Sequence, residues 1–328
     1  MIKANSFDAA VIGGGPAGLS AAIAMRRRGA KVALFYARSA ARDIERFETL
    51  QARLKSVLMT FGAGGTIEAC GAVAAPAIAS NWFSPSQQER PSVLDPHGPS
   101  FHVEREAFRS ALAEVAADAG VHFFVGKRMR ATPGPQGWQL IQGSNSVDAP
   151  FLIVATGRDA IPIAAQITRR SLDRLVAVFG SARQLVGSRD LRLVVEAAPN
   201  GWWYRCPSRE GRQQIVFLSD ADLVRNAART SNNWFATCAV ETELGKAFSV
   251  DEPVRIVAAD TYYRDAVIGD NIILIGDAAM AGDPLGGQGV TWAVNSGLRA
   301  AEVGLSSAKD REAALAAYSR EVLGPVLS

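Results

Sequence analysis

Three glycines near the start of the chain have the spacing G-x-G-x-x-G: Gly13, Gly15 and Gly18. They follow an apolar segment at 7–12 and open a segment with helical periodicity. Gly13 would permit a tight turn, Gly15 would let a pyrophosphate approach the backbone, and Gly18 would let the helix pack closely. An anion would then lie at the helix N-terminus, where backbone N–H groups point at it. The spacing and its strand–turn–helix setting predict a dinucleotide-binding turn.

The second strand of this unit does not end in the acidic residue that usually completes it. The strand KVALFY, 31–36, ends in Tyr36, and Arg38 comes two residues later. An acidic side chain here would hold the ribose, whereas an arginine can accept the 2′-phosphate of NADP. The amino-terminal unit alone leaves FAD and a nicotinamide cofactor open, and Tyr36 and Arg38 favour NADP.

A second glycine-rich segment, LIGDAAMAGDPLGGQGV at 274–290, lies near the other end of the chain. It resembles the second FAD signature of class A flavoprotein monooxygenases, whose FAD domain is of the glutathione-reductase type. The resemblance implies that Asp277 accepts a hydrogen bond from a ribitol hydroxyl and that the amides of 286–289 face the N1–C2=O edge of the flavin. A helix N-terminus suits that edge because reduced flavin carries negative charge there. The residues ATG at 155–157 resemble the family's third contact region, so FAD is the expected cofactor.

The resemblance covers nearly the whole chain. Segments 46–62, 95–108 and 195–223 resemble the tryptophan-halogenase-like branch. Within that branch the likeness is greatest to flavoproteins that modify tryptophan residues when the tryptophylquinone cofactors of amine dehydrogenases and amino-acid oxidases are made. The residues that the resemblance places at the FAD are Gly13, Gly15, Pro16, Ala17, Gly18, Tyr36, Ala37, Arg38, Glu48, Arg105, Ala155, Thr156, Gly157, Gly276, Asp277, Pro284, Gly286, Gly287, Gln288, Gly289 and Val290.

Halogenation is disfavoured by two departures from the pattern of the branch. Its halogenases carry a Trp-x-Trp-x-Ile-Pro stretch, and the counterpart here is WWYRCP at 202–207. They also need a lysine that carries hypohalous acid to the substrate, and residues 56–126 contain no lysine. A reaction whose named catalytic group is missing is not expected.

The resemblance implies instead that an electron-rich aromatic ring of the indole or phenol type is hydroxylated, including a tryptophan side chain of a partner protein. Reduced flavin would react with O₂ to give a C4a-hydroperoxide, whose distal oxygen is attacked by the ring. The electrons would come from NAD(P)H or from a separate flavin reductase. Two alternatives stay open: a reductase or dehydrogenase without oxygen insertion, and a non-catalytic flavin-binding partner protein.

Further residues are candidates for the lining of the flavin and substrate site: Trp202, Tyr204, His97, His102 and Met280. The histidines could act as general bases or could hold purely structural hydrogen bonds. The aromatic residues Trp82, Phe83, Trp202, Trp203 and Tyr204 could form a floor for an arene or could be ordinary core of a β lobe.

The elements that would position these residues indicate an α/β fold, in which a glutathione-reductase-type FAD-binding Rossmann domain is interrupted by a β-rich substrate lobe. Residues 1–61, 101–160 and 261–328 are assigned to the FAD-binding domain, and residues 62–100 and 161–260 to the lobe. Periodicity predicts helices at about 16–28, 43–61, 104–118, 221–245, 287–305 and 310–323. A three-stranded meander is expected at 127–150 and an antiparallel sheet from 172 to 219.

Composition excludes several classes of function. The 328 residues are 48% apolar and 20% charged, as in ordinary globular proteins, and the net charge of +3 is too small to indicate nucleic acid or a membrane surface as a partner, so neither is expected. The three cysteines are widely spaced and indicate neither a disulfide framework nor a metal site. No apolar run approaches the ~18 residues of a membrane span, and a cytoplasmic location is expected.

Overall fold

The computed structural model describes residues 5–37, 46–82, 87–126, 129–135, 137–158, 167–184, 190–207, 212–230, 233–240, 242, 248–269 and 271–327. Its strands are β1 (Asn5–Ser6), β2 (Ala9–Ile12), β3 (Val32–Tyr36), β4 (Phe47–Leu50), β5 (Val73–Ala74), β6 (Ala77–Asn81), β7 (Gln88–Pro91), β8 (Phe101–Glu104), β9 (His122–Val125), β10 (Arg130–Gly134), β11 (Gly137–Gln142), β12 (Asn145–Ala149), β13 (Leu152–Val154), β14 (Arg169–Ser171), β15 (Leu175–Gln184), β16 (Leu193–Ala198), β17 (Gly201–Pro207), β18 (Arg212–Asp220), β19 (Phe248–Ala258), β20 (Tyr262–Arg264), β21 (Ile268–Gly269), β22 (Ile272–Leu274) and β23 (Met280–Ala281). Its helices are α1 (Pro16–Arg27), α2 (Arg53–Thr60), α3 (Thr66–Ala69), α4 (Arg105–Asp118), α5 (Ala221–Thr230), α6 (Trp234–Val240), α7 (Gly289–Leu305) and α8 (Ala308–Leu327).

A six-stranded sheet in the order β21-β22-β13-β2-β3-β9 forms the first layer, and β21 is its antiparallel edge strand. The central strands are continuous runs of buried apolar residues, which is typical of a parallel sheet covered on both faces. Helices α1, α4, α7 and α8 contribute buried residues to the same core. The predicted α/β fold class is confirmed.

The predicted meander is confirmed as β10-β11-β12, and β1 adds to it in parallel with β12. It leads directly into β13 of the parallel sheet. The chain therefore returns to the carboxyl edge of β13 at Ala155, beside the glycine turn that follows β2.

A seven-stranded sheet in the order β19-β15-β18-β17-β16-β6-β7 forms the β-rich part of the chain. Its pairs are antiparallel except for β6, which runs parallel to β16. One face packs on α5 and α6 through Trp203, Phe217 and Phe235. The other face carries Trp202 and Tyr204 with a separate apolar cluster. The antiparallel sheet predicted after residue 172 is thus present, with two strands added from 77–91.

The predicted helix at 43–61 is wrong in its first part. Residues Phe47–Leu50 form β4, which pairs antiparallel with β8, and helical structure begins only at Arg53. Sheet pairing with a distant segment overrides the local pattern here. Residues 43–45 lie outside the described part of the chain.

Smaller differences concern the ends of elements. The predicted helix at 221–245 is two helices, α5 and α6, within the described residues. Strand β22 ends at Leu274 because Gly276 takes a left-handed conformation, φ 57°, and starts a 3₁₀ turn over Gly276–Ala278. Among the described residues, no helix combines the length and apolar character needed to cross a membrane. The domain boundaries given above stay a prediction.

Candidate active site

The glycine turn after β2 has little room at two positions and open space at the third. A Cβ on Gly13 would lie 2.0 Å from the carbonyl oxygen of Ala155, and a Cβ on Gly18 would lie 2.0 Å from that of Gly13. A Cβ on Gly15 would meet no atom within 4 Å. Gly13 and Gly18 are therefore required by packing, whereas a side chain at Gly15 would extend into open space.

The three expected FAD regions meet at the carboxyl ends of neighbouring parallel strands. The Ala155 N–H donates to Ile12 O at 2.7 Å, and a Cβ on Gly276 would approach the Ala17 side chain to 2.9 Å. Gly157 has φ 68° and open space around it, and Thr156 is half-buried. Ligands of open α/β sheets bind at this edge. Segments that are more than 100 residues apart in sequence thus form one cradle.

The loop before α7 is exposed, and part of its backbone is hydrogen-bonded within the loop, since the Gly286 and Gly287 N–H groups donate to Asp283 O at 3.1 Å and to Pro284 O at 3.0 Å. Pro284–Gly286 form a 3₁₀ turn that Asp283 caps, because its carboxylate accepts the Leu285 N–H at 2.8 Å. Residues 286–289 are exposed, and Val290 lies in the first turn of the 17-residue helix α7. The amides of Gln288 and Gly289 lie at the positive end of that helix and are suited to a negatively charged ligand edge, whereas those of Gly286 and Gly287 are used within the turn.

Two residues that sequence reasoning missed hold this loop. Gln51 Nε2 donates to Gly286 O at 3.3 Å, and Arg53 Nη2 donates to Gln288 Oε1 at 3.3 Å. Their position depends on β4 and on the short α2, which the sequence pattern predicted as one helix. No local signal could therefore have identified them.

Asp277 lies in the 3₁₀ turn after β22, and its side chain is about one third exposed. Burial raises the pKa of this carboxyl, and the nearby cations Arg158 and Arg105 act in the opposite direction. The Arg158 Nε lies 3.7 Å from Asp277 Oδ2. Arg158 was not singled out in the sequence, although it directly follows the ATG segment.

Glu48 and Arg105 are brought together by the pairing of β4 with β8. Phe47 pairs with Glu104, and the Arg105 N–H donates to Arg46 O at 2.8 Å. Both Glu48 and Arg105 influence the pKa of Tyr204, on the facing strand β17. The structure thus places two expected cofactor residues beside an expected substrate residue.

The ring of Tyr36 covers the glycine turn. A Cβ on Gly14 would lie 3.0 Å from Tyr36 Cγ, and the ring also contacts Phe123 edge-on, with centroids 6.1 Å apart. Ala37 is exposed, and Arg38 lies outside the described residues. Tyr36 therefore has a packing role at the position of the missing acid.

We expect Tyr36→Glu not to tighten FAD binding, even though a carboxylate could accept hydrogen bonds from a ribose. The substitution removes the ring that packs on the glycine turn, and it adds a charge that Arg38 can pair with. Arg38→Ala is expected to weaken binding. Titration of both variants with FAD tests this, and affinity about tenfold higher in Tyr36→Glu, which corresponds to about 1.4 kcal/mol, would contradict it.

Three of the five aromatic residues named as a floor for an arene lie next to one another, and their role as a floor stays a prediction. Trp202 lies 6.1 Å from Tyr204 and 6.4 Å from Trp82, measured between ring centroids. Trp203 points to the opposite face, where it is fully buried 4.5 Å from Phe217. Trp203 is therefore core, and Phe83 lies outside the described residues. We call Trp82, Trp202 and Tyr204 the aromatic wall.

His102 is held on both ring nitrogens in the interior. Its Nε2 lies 2.9 Å from Leu191 O, so this nitrogen donates, and Nδ1 lies 2.9 Å from Thr49 Oγ1 and 3.5 Å from Cys206 Sγ. Burial lowers the pKa of His102 and raises that of Cys206 to about 12. Both side chains are neutral near pH 7, and the arrangement favours the structural interpretation of His102.

The other two candidates lie in different surroundings. His97 is exposed in a turn, where its backbone N–H donates to Asp95 Oδ1 at 3.0 Å. Met280 is half-buried in β23, which follows Asp277 and pairs with β20. Nothing in these contacts assigns a reacting group to either residue.

Comparison with known proteins agrees with this geometry. The family model described as FAD binding domain matches residues 6–321. The FAD-dependent oxidoreductase LodB of Marinomonas mediterranea is 26% identical over 327 residues, which are 93% of this chain and 86% of LodB.

Two solved structures share the fold. The flavin-dependent brominase Bmp2 aligns with a TM-score of 0.79 and 20% identity, over 96% of this chain and 83% of Bmp2. The peptidyl tryptophan dihydroxylase QhpG, essential for tryptophylquinone cofactor biogenesis, aligns with a TM-score of 0.76 and 24% identity, over 98% of this chain and 72% of QhpG. At these identities the likeness shows the fold alone.

Proposed function

The chain belongs to the FAD binding domain family and is an FAD-dependent oxidoreductase of the halogenase and monooxygenase group, and from that premise we propose that it hydroxylates an electron-rich aromatic ring. The observation that carries the proposal is the aromatic wall, which lies on the face of the seven-stranded sheet that carries Tyr204 next to Glu48 and Arg105. Rings of this kind bind flat apolar groups by stacked and edge-on contacts.

The residues present fit FAD as the cofactor. The turn leaves space at Gly15 where a pyrophosphate would lie, and α1 begins there with Pro16 and with no acidic residue in its first turn. Asp277 offers a carboxylate to a hydroxyl, and the amides of Gln288 and Gly289 at the amino end of α7 offer donors to an anionic edge. These residues, with Ala155–Gly157 at the third strand end, are the proposed cofactor contacts.

When bound and reduced, FAD supplies the electrons with which O₂ is activated, and the protein supplies orientation and electrostatics. The amino end of α7 stabilises negative charge on the cofactor. The aromatic wall holds the substrate ring and keeps bulk water from it. Burial raises the pKa of Tyr204, so its hydroxyl stays protonated and can donate a hydrogen bond to the substrate.

We further propose that the ring is an indole and that it belongs to a tryptophan side chain of a partner protein. QhpG supports this choice, because it is a peptidyl tryptophan dihydroxylase with the same fold. O₂ is the second substrate, and the electrons come from NAD(P)H or a separate flavin reductase. The cytoplasmic location stays a prediction.

Halogenation is the second candidate, because the fold is equally similar to that of a flavin-dependent brominase. The absence of lysine from residues 56–126 weighs against it, since the halogenases of the branch use a lysine to carry hypohalous acid. Tyr204 and Cys206 also replace the second Trp and the Ile of their Trp-x-Trp-x-Ile-Pro stretch.

Binding of an indole at the aromatic wall tests the proposal without turnover. We expect N-acetyltryptophanamide to perturb the visible absorbance of the oxidised FAD enzyme, and Trp202→Leu to weaken that binding about tenfold. Trp138→Leu, on the meander strand β11, serves as the matched control and should bind like the wild type. Equal binding by all three proteins would show that the wall is not the substrate site.

A further inference from the structure

Arg158 links the third FAD region to Asp277. Its Nη1 donates to the backbone oxygen of Asp260 at 2.9 Å and to Asp260 Oδ1 at 3.0 Å. With Nη1 fixed in this way, Nε points to the Asp277 carboxylate at 3.7 Å. The guanidinium therefore has one end anchored and the other directed at the proposed ribitol-binding carboxylate.

Asp260, to which Arg158 is anchored, is itself held by further hydrogen bonds. Asp260 is buried and also accepts from Arg169 Nη2 at 2.5 Å and from Ser171 Oγ at 2.9 Å. The guanidinium groups of Arg158 and Arg169 lie over the ring of Tyr262, at 5.3 and 3.7 Å from its centroid. The hydroxyl of Tyr262 donates to the backbone oxygen of Asp277. One network thus holds both the main chain and the side chain of Asp277.

The titratable groups that face Asp277 are the cations Arg158 and Arg105 and the phenol of Tyr262, which is neutral. Burial raises the pKa of the Asp277 carboxyl, and of the opposing cations Arg158 contributes the larger effect. Without Arg158 the carboxyl would be protonated at a higher pH. Only the ionised form offers two acceptor oxygens to a hydroxyl.

We propose that Arg158 is a positioning residue that keeps Asp277 ionised and oriented for the ribitol of FAD. The proposal rests on the proposed role of Asp277 as an FAD contact. Arg158 acts through Asp277, so its contribution to FAD affinity exists only while the carboxylate is present.

A double-mutant cycle tests this directly. FAD dissociation constants are measured by flavin fluorescence for the wild type, Arg158→Met, Asp277→Asn and the double variant. We expect each single variant to bind about tenfold more weakly, and the double variant to bind no more weakly than Asp277→Asn alone. Arg170→Met is the matched control. It removes the same charge from a nearby residue, and Arg170 pairs with Asp265 at the surface rather than with Asp277. Its affinity should be unchanged.

The pH dependence gives a second readout. FAD affinity is present when Asp277 is ionised and falls as the pH drops through the pKa of this carboxyl. Because Arg158 lowers that pKa, Arg158→Met should lose FAD affinity at a higher pH than the wild type. Arg158→Lys keeps the positive charge, so the pH at which it loses FAD affinity should lie between those of the wild type and Arg158→Met. Arg158→Gln replaces Arg158→Met in the cycle if circular dichroism shows that the latter does not fold.

The outcomes separate the inference from its premise. If Asp277→Asn weakens FAD binding and Arg158→Met does not, or if their effects add in the double variant, Arg158 does not act through Asp277. If Asp277→Asn binds FAD like the wild type, the placement of Asp277 at the cofactor is wrong and the inference falls with it.

Discussion

A Gly15→Val variant is expected to fold like the wild type and to bind FAD about 100-fold more weakly, a loss of about 2.7 kcal/mol. Gly15 has φ −85° and ψ 178°, an extended conformation that valine adopts without strain. A Cβ there meets no protein atom within 4 Å, so the fold has room for it. The side chain would instead fill the space proposed for the pyrophosphate. Thermal unfolding without FAD and titration with FAD measure the two effects separately.

Gly65→Val provides the control for this substitution. Gly65 also has a negative φ and no atom within 4 Å of a built Cβ, but it lies at the start of α3. Its FAD affinity should be unchanged. Wild-type affinity in Gly15→Val would mean that no phosphate lies at this turn.

Gly297→Ala is expected to destabilise the protein by about 3 kcal/mol, or to prevent folding, although it adds a single methyl group. A Cβ on Gly297 would lie 2.4 Å from Ala17 O and 3.0 Å from Ala21 N, which are backbone atoms of α1 and cannot rotate away. Helices α1 and α7 would have to separate, and both begin at proposed FAD contacts. FAD affinity should therefore fall together with the free energy of unfolding.

The same substitution in the neighbouring helix should have a much smaller effect. Gly324 is exposed in α8, and apart from its chain neighbours no atom lies within 4 Å of a Cβ built there. Gly324→Ala should change the free energy of unfolding by less than about 1 kcal/mol, because the entropy advantage of alanine in a helix is offset by the restriction that Pro325 places on a preceding residue with a Cβ. Urea unfolding of both variants gives the comparison, and equal stability of Gly297→Ala and wild type would contradict the close helix contact.

The parts of the site that could be predicted from sequence are those that depend on local backbone geometry. The glycine turn, the 3₁₀ turn at Gly276 and the amino end of α7 each follow from residues adjacent in the chain. Family resemblance then assigned these parts to FAD. Tyr36 and Arg38 alone would have favoured NADP instead.

The parts that could not be predicted depend on pairing between distant segments. Strand β4 exists because it pairs with β8, some 50 residues later, and that pairing positions Glu48, Gln51 and Arg105. The link from Arg158 to Asp260 spans 102 residues, and each residue by itself resembles an ordinary surface charge. Such contacts leave no periodic pattern in the sequence, which is why Arg158 was missed. The alternation along β17 places Trp202 and Trp203 on opposite faces, but it does not show which face packs on the helices.

Transfer of oxygen from O₂ to an aromatic ring is the central claim, and mass spectrometry with ¹⁸O₂ tests it most directly. The FAD enzyme is reduced without oxygen, mixed with N-acetyltryptophanamide, indole or phenol in buffer containing bromide and chloride, and exposed to ¹⁸O₂. The account predicts that ¹⁸O enters the ring of the indole compounds and that Trp202→Leu forms less of this product at a limiting concentration of the indole. Halogenated rings, or reoxidation of the flavin with every ring unchanged, would contradict it.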